Sequence, residues 1–159
     1  MKVQIQHLNS SHDRKRFDCG TGSLNDWLQT KAKQHQEKKL SQTYVATSPD
    51  DPTRIIGYYA LAATRALTAG MQGKKLPTEV SAVLLARLAV DKNNQGQGLG
   101  EFLLTQALDV AVSASNLIGA QCVVVDAIDD TAAAFYVKYG FTPLTTEPMT
   151  LYLPIASIP

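Results

Sequence analysis

The stretch that decides the fold is Leu88-Ala-Val-Asp-Lys-Asn-Asn-Gln-Gly-Gln-Gly-Leu-Gly-Glu-Phe-Leu-Leu104. The apolar run over 82–90 predicts a buried strand, which the polar residues 91–95 end. Three glycines follow, and the leucine spacing beyond them predicts a helix over 98–115. A helix start preceded by glycines offers unpaired N–H groups and the positive end of the helix dipole to an anion. The stretch therefore predicts a site for a cofactor that carries a pyrophosphate.

The spacing of the glycines narrows the choice of cofactor. It fits neither the G-x-G-x-x-G fingerprint of dinucleotide-binding folds nor the G-x-x-x-x-G-K-[ST] of P-loops. Gln95-x-x-Gly98-x-Gly100 instead resembles the [Q/R]-x-x-G-x-[G/A] motif of the GNAT N-acetyltransferases. That resemblance implies acetyl-CoA as cofactor, held by Leu88, Ala89, Val90, Gln95, Gly96, Gln97, Gly98, Leu99 and Gly100. The alternative is a glycine-rich turn that only ends a strand.

A second motif lies near the C-terminus, at Asp129-Asp-Thr-Ala-Ala-Ala-Phe-Tyr-Val-Lys-Tyr-Gly-Phe141. It resembles the GNAT pattern N-x-x-A-x-x-[FLY]-Y-x-x-x-G-F, with Asp129 where Asn is common. The resemblance implies that Asp129, Ala132 and Phe135 border the cofactor and that Tyr136 is the catalytic acid. A phenol with a pKa of about 10 is protonated at neutral pH and can donate its proton to a departing thiolate. The alternatives are a Tyr136 that only packs in the core and a rival phenol at Tyr139.

The coarse pattern predicts a single α/β (α+β) domain over residues 1–159. We expect strands over 3–7, 43–47, 54–67, 82–90, 121–126 and 149–153, and helices over 23–39, 98–115 and 130–139. The order β, α, β, β, β, α, β, α, β matches the GNAT topology, a central mixed sheet flanked by helices, with strands that splay at the acetyl-CoA site.

The composition excludes several other classes of protein. Hydrophobic residues make up 45% of the 159, but no apolar run is long enough to span a membrane. The N-terminus lacks the apolar segment of a secretory signal, so we expect a cytoplasmic protein with no membrane partner. The two cysteines and three histidines are scattered, and no metal site is predicted.

The N-terminal block carries a narrower resemblance. Phe17-Asp-Cys-Gly-x-x-Ser-Leu-Asn-x-Trp-Leu28 and Gln36-Glu-Lys-x-x-Ser-x-Thr-Tyr-Val45 resemble the GNAT toxins of type II toxin–antitoxin systems. The resemblance implies acetylation of the α-amino group of aminoacyl-tRNA, which inhibits translation. It also implies a ribbon-helix-helix antitoxin, a homodimer, and contact with operator DNA only through the toxin–antitoxin complex. The sequence shows no obvious general base, but an α-amino group loses its proton more easily than a lysine does.

The charge is unevenly distributed along the chain. Residues 1–40 hold 8 Lys and Arg against 4 Asp and Glu, whereas residues 41–159 hold 7 against 10. Lysine and arginine supply sequence-independent affinity for the phosphates of RNA. The candidates for the tRNA surface are Lys31, Lys33, Lys38, Lys39, Lys74, Lys75 and Arg87. The alternative for the lysines at 31–39 is a solvated helix end.

Two other functions stay open at the level of sequence. One is a GNAT N-acetyltransferase that acts on a small amine or on a protein N-terminus. The other is a non-catalytic module that binds acyl-CoA, against which the intact Gly98, Gly100 and Tyr136 argue.

Overall fold

The computed structural model describes residues 2–73 and 75–159. Lys74, one of the predicted tRNA contacts, therefore lies outside the described residues. The strands are β1 (Gln4–His7), β2 (Gln42–Thr47), β3 (Gly57–Leu67), β4 (Glu79–Val90), β5 (Cys122–Asp126), β6 (Thr142–Pro143) and β7 (Thr150–Pro154). The α-helices are α1 (Gly22–Thr30), α2 (Ala32–Glu37), α3 (Leu99–Ile118) and α4 (Asp130–Lys138).

The described strands form one mixed sheet in the order β1-β2-β3-β4-β5-β7-β6. β2 is antiparallel to β1 and β3, and β7 is antiparallel to β5 and β6. β4 and β5 run parallel and are connected through α3, as a parallel pair requires a crossover. This arrangement confirms the predicted α/β class with a mixed sheet and flanking helices.

The chain divides into two compact units. The first comprises residues 1–62 and 87–107, and the second comprises residues 63–86 and 108–159. In the first unit, the buried ring of Tyr58 lies edge-on to Phe17 and parallel to Trp27. In the second unit, one cluster of the core comprises the buried side chains of Val80, Ala82, Cys122, Val124 and Tyr152.

The single helix predicted over 23–39 is wrong, because the chain forms two helices that meet at Lys31. The Thr30 hydroxyl donates to the Asp26 carbonyl at 2.6 Å, a back-bond that bends helices. Beyond α2, Lys39 adopts a left-handed φ of 62°, and the Leu40 N–H donates to the His35 carbonyl at 2.8 Å. This is a Schellman-type ending, and it turns the chain toward β2.

Two further differences concern strands. β4 begins at Glu79, three residues before the strand predicted over 82–90, and Glu79 forms an ion pair of 2.9 Å with Arg65 of β3. Cross-strand pairs of opposite charge stabilise a sheet without any apolar signal. β6 was missed because its two residues, Thr142 and Pro143, are too few to show an alternating pattern.

A close approach of backbone to side chain fixes the start of α3 in the first unit. A β-carbon on Gly57 would lie 2.8 Å from Leu103 Cδ1 and 3.2 Å from the Ala89 carbonyl oxygen. Glycine at this position therefore lets the first turns of α3 pack directly on β3. None of the helices in the described residues is long and apolar enough to cross a membrane.

Candidate cofactor and catalytic site

The glycine turn, residues 95–100, has two positions whose backbone only glycine adopts without strain. Gly96 and Gly98 have φ values of 78° and 81°, in the left-handed region. A β-carbon at either position would meet no atom within 4 Å, so the turn faces open space. The Phe102 N–H donates to the Gly98 carbonyl at 3.1 Å, so the first turn of α3 follows Gly98 directly and includes Gly100. The N–H groups of this first turn have no partner within the helix and can bind phosphate oxygens.

A pocket of about 320 Å³ opens beside the glycine turn. Its lining residues are Val3, Gln97, Gly98, Leu99 and Phe102. The lining combines peptide and side-chain amide groups with the partly exposed ring of Phe102, which is the mixture that ligand pockets use. The residues present therefore fit the pyrophosphate-bearing end of coenzyme A.

Leu88, Ala89 and Val90, which are predicted to bind the cofactor, form the end of β4. Ala89 is buried, and Leu88 and Val90 are half-buried. The Gln95 side-chain amide donates to the Val90 carbonyl at 3.0 Å and to the Cys19 carbonyl at 2.9 Å. The side-chain nitrogen of Gln95 is thus engaged with protein backbone.

Sequence reasoning missed Asp91, which we find almost completely buried, with 1% of its surface exposed. Its carboxylate accepts hydrogen bonds from the N–H groups of Asp18, at 3.1 Å, and Asn93, at 3.0 Å. The Lys92 N–H donates to the Asp18 carbonyl at 2.8 Å, and its ammonium pairs with the Asp18 carboxylate at 2.9 Å. Because polar residues 91–95 follow an apolar run, they indicate only the end of a strand, and no sequence signal marks one of them as buried.

The Asp18 carboxylate is held in its charged form. The Lys92 ammonium, the Gly20 N–H and the Asn25 amide lower the pKa of Asp18 to about 2. The same ion pair raises the pKa of Lys92. Asp18 is therefore an anion at every pH at which the protein would be assayed.

Asp129 occupies the N-cap of α4. Its carboxylate accepts a hydrogen bond of 2.8 Å from the Ala132 N–H. An asparagine at the same position would cap the helix through its side-chain oxygen, so the departure from the motif keeps the local structure. In the described structure, the Asp129 carboxylate and the Ala132 N–H are thus hydrogen-bonded to each other.

Tyr136 is the buried residue of α4, with 6% of its surface exposed. Its ring lies edge-on to Phe135 and Phe141, at centroid distances of 5.3 and 5.5 Å. Burial raises the pKa of its phenol, which keeps the group protonated. Its hydroxyl has no hydrogen-bond partner among the described residues, whereas the Tyr58 hydroxyl donates to the Leu24 carbonyl at 2.7 Å.

Tyr139, the rival phenol, has a different environment. It is half-buried, and its ring contacts Phe135 at a centroid distance of 5.0 Å. The Lys138 ammonium lies 5.5 Å above the same ring. Tyr139 is therefore a partly solvated aromatic residue, and Tyr136 is the phenol that the packing encloses.

The predicted basic residues fall into two groups. Lys31, Lys38, Lys39 and Lys75 are exposed. Lys33 donates to the Ser10 hydroxyl at 3.0 Å, and the guanidinium of Arg87 lies 5.0 Å above the Trp27 ring. The exposed lysines at 31–39 border α2, so a polyanion could reach them without rearrangement of the chain.

The candidate residues divide between the two units. Residues 88–100 belong to the first unit, and residues 129–136 belong to the second. The structure brings Val90 and Gln95 together in the first unit, and Asp129 and Ala132 together in the second.

Comparison with known proteins identifies relatives of the whole chain. A family model for the acetyltransferase (GNAT) domain matches residues 39–143. A protein of Mycobacterium tuberculosis (strain ATCC 25618 / H37Rv), named tRNA-acetylating toxin, is 36% identical over 151 residues. The match covers 93% of this chain and 89% of that protein.

Two solved structures share the fold over nearly their full length. AtaT complexed with acetyl-methionyl-tRNAfMet is 30% identical, with a TM-score of 0.92, and the match covers 99% of this chain and 97% of that chain. A mutant AtaT toxin bound to the C-terminus of the antitoxin AtaR and to acetyl-CoA is also 30% identical. Its TM-score is 0.85, and the match covers 99% and 96% of the two chains.

Proposed function

The chain belongs to the GNAT acetyltransferase family, and we propose that it is a toxin that acetylates the α-amino group of aminoacyl-tRNA. It is an acetyl-CoA-dependent N-acetyltransferase. The observation that carries the choice of acceptor is the likeness over nearly the whole chain to the tRNA-acetylating toxin of M. tuberculosis. That likeness includes the N-terminal block, most of which lies outside the matched GNAT model. An acetylated α-amino group can no longer form a peptide bond, so the reaction would inhibit translation.

The glycine turn is the proposed holder of the pyrophosphate. The N–H groups of Gln97, Gly98, Leu99 and Gly100 stand at the start of α3, where the helix dipole favours an anion. The left-handed glycines allow phosphate oxygens to approach the backbone closely. Leu88, Ala89, Val90 and Gln95, together with Asp129, Ala132 and Phe135 around the cap of α4, complete the proposed cofactor-binding set.

Tyr136 is the proposed general acid. Acetyl-CoA supplies a thioester whose carbonyl the acceptor amine attacks and whose sulfur must leave as a thiol. The Tyr136 phenol is protonated, enclosed by Phe135 and Phe141, and has no hydrogen-bond partner among the described residues. It can therefore donate its proton to the sulfur. Backbone N–H groups at the end of β4, at Leu88, Ala89 and Val90, would stabilise the developing oxyanion.

The acceptor itself requires no strong base from the protein. An α-amino group has a pKa of about 8, so about a fifth is neutral near about pH 7.4, far more than of a lysine with a pKa of about 10.4. The exposed Lys31, Lys38, Lys39 and Lys75 would bind tRNA phosphates, with Lys33, Lys74 and Arg87 as further contacts. In this proposal, the positively charged N-terminal part of the chain binds the tRNA body. The catalytic site, and not these lysines, selects the amino acid.

The partners follow from the same proposal. An antitoxin with a ribbon-helix-helix domain would neutralise the protein in the cytoplasm, and the complex would bind operator DNA. We also propose a homodimer. The likeness to AtaT bound to the C-terminus of AtaR supports the antitoxin. Light scattering on the purified chain, with and without the product of a neighbouring small gene, tests both assemblies.

Expression in a bacterium tests the function as a whole. We expect the wild-type protein to arrest growth and the Tyr136→Phe variant, made at the same level, to leave growth unchanged. Coexpression of the antitoxin gene should restore growth. A wild-type protein that leaves growth unaffected contradicts the proposal, and acetyl transfer to polyamines or protein N-termini would then favour an ordinary GNAT enzyme.

A further inference from the structure

The N-terminal loop, residues 17–20, and the segment that leads into the glycine turn are held together by side chains. Four residues form this contact, which we call the clasp: Asp18, Asp91, Lys92 and Gln95. Asp91 accepts the Asp18 N–H, Lys92 returns a backbone hydrogen bond and an ion pair to Asp18, and Gln95 donates to the Cys19 carbonyl. The clasp joins two signatures that lie far apart in the sequence.

Asp91 gives the clasp its rigidity. A buried carboxylate is costly unless hydrogen bonds replace its lost water. The structure supplies them from the N–H groups of Asp18 and Asn93, and the Asp91 N–H donates to the Ile56 carbonyl at 2.9 Å. These contacts fix the backbone between β4 and the glycine turn, and one of the two donors comes from the N-terminal loop.

The loop is in turn anchored to α1. The Asp18 carboxylate accepts the Gly20 N–H at 2.9 Å and the Asn25 side-chain amide at 3.0 Å. The Asn25 oxygen accepts the Cys19 N–H at 2.9 Å. A continuous chain of hydrogen bonds therefore runs from α1 through the N-terminal loop to the residues that precede the glycine turn.

We propose that Asp18, Asp91 and the side chain of Gln95 position the glycine turn for acetyl-CoA through the clasp. The turn binds two phosphates only when several of its N–H groups point to the same place, and an ordered turn avoids the entropic cost of arranging them on binding. The N-terminal block thus contributes to cofactor affinity without touching the cofactor. This inference rests on the proposed use of acetyl-CoA by the glycine turn, and it is independent of the tRNA acceptor.

The test is direct binding of acetyl-CoA to the purified full-length chain by isothermal titration calorimetry. The main variant is Asp18→Ala, which removes the exposed carboxylate that orders the loop and changes no residue of the glycine turn. Asp51→Ala is the matched control, because the Asp51 carboxylate also orders an exposed turn of the first unit, through Thr53 and Arg16. Asp18→Asn is the conservative variant, since it keeps an acceptor oxygen for the Gly20 N–H.

We expect Asp18→Ala to raise the Kd for acetyl-CoA by about tenfold, because misplaced binding groups are costly even when the change is remote. Asp18→Asn should recover most of the affinity, and Asp51→Ala should bind as the wild type does. Hydrogen exchange should become faster at residues 91–98 in Asp18→Ala but not in β5.

The outcomes separate the clasp from a merely structural loop. An Asp18→Ala variant with a lower Tm and an unchanged Kd overturns the inference. If circular dichroism shows that Asp18→Ala does not fold, the Tm and the Kd of Asn25→Ala are measured in its place, since Asn25 contacts the loop from α1. A lower Tm with an unchanged Kd overturns the inference here too. A wild type that binds acetyl-CoA but acetylates no aminoacyl-tRNA refutes the proposed acceptor and leaves the clasp standing. A wild type that binds no acetyl-CoA refutes both.

Discussion

The side-chain amide of Gln95 donates a hydrogen bond of 2.9 Å to the backbone carbonyl of Cys19, across 76 residues of sequence. The glycine turn and the N-terminal loop are therefore one structural feature of the first unit. The glycine turn alone indicates a coenzyme A site, and the N-terminal block alone indicates a subclass of acetyltransferases. Because the two segments are in contact, a substitution in the N-terminal loop should alter the conformation of the glycine turn, and a substitution in the turn should alter the loop.

Gly98→Ala should weaken acetyl-CoA binding. An alanine at φ 81° is strained by about 1–2 kcal/mol, and its methyl group points into the open space that faces the turn. The KM for acetyl-CoA should rise by at least about tenfold, since the N–H groups of the turn move with the backbone.

Gly119→Ala is the control for backbone strain. Gly119 has a φ of 84° and open space around it, and it follows α3 at the other end of the helix. Its substitution should lower the Tm to a similar extent and leave the KM for acetyl-CoA unchanged. Equal effects of both variants on KM would show that strain, and not the phosphate site, is responsible.

Tyr136→Phe should abolish most of the activity and leave the fold intact. The ring packs between Phe135 and Phe141, and its hydroxyl has no hydrogen-bond partner among the described residues, so phenylalanine should fit without loss of stability. General acid catalysis contributes about 10²–10⁴-fold, so kcat should fall by that factor while the Kd for acetyl-CoA stays the same.

Tyr139→Phe tests the rival phenol in the same assay. Its hydroxyl is on the half-buried residue beside Lys138, and we expect kcat to change by less than about twofold if it takes no part in proton transfer. A large fall in kcat for Tyr139→Phe together with an active Tyr136→Phe would reverse the assignment.

The pH dependence follows from the direction in which the pKa of Tyr136 is shifted. Burial raises it above the ordinary value of about 10, and a general acid works in its protonated form. The kcat/KM should therefore rise as the acceptor amine loses its proton, with a midpoint near about pH 8, and stay level to about pH 9.5. A decline between about pH 7 and 9 in initial rates would mean that a different group donates the proton.

Lys38→Glu should weaken the affinity for tRNA but not for acetyl-CoA. Lys38 is exposed beside α2, and removing one lysine–phosphate interaction should reduce the salt dependence of binding by about 0.7–1 in log–log slope. Filter binding at several salt concentrations measures this slope. Lys38→Arg keeps the charge and should behave as the wild type does. An unchanged slope in Lys38→Glu would place the tRNA surface elsewhere.

The elements with strong periodicity or glycine spacing were predictable from the sequence. The core of β4, the start of α3 and the helix that carries Tyr136 all lie where the pattern places them. The break between α1 and α2 at Lys31 was not predictable. It accompanies the hydrogen bond from the Thr30 hydroxyl to the Asp26 carbonyl, and the polar residues around Thr30 in the sequence form no pattern that marks this bond. The burial of Asp91 was equally hidden, since one of its partners comes from Asp18, which only the tertiary structure brings near. Patterns along the sequence show periodicity. A buried carboxylate, by contrast, receives hydrogen bonds from segments that are distant in the sequence, and no local pattern shows these.

The central claim is that this chain transfers acetyl from acetyl-CoA to the α-amino group of aminoacyl-tRNA with Tyr136 as the acid. Mass spectrometry of the aminoacyl adenosine released from a mixture of charged tRNAs, after incubation with acetyl-CoA and purified protein, tests it most directly. We predict an N-acetylated aminoacyl adenosine with the wild type and almost none with Tyr136→Phe. Charged tRNAs that stay unmodified by a wild-type protein that binds acetyl-CoA, or equal acetylation by Tyr136→Phe, would contradict the account.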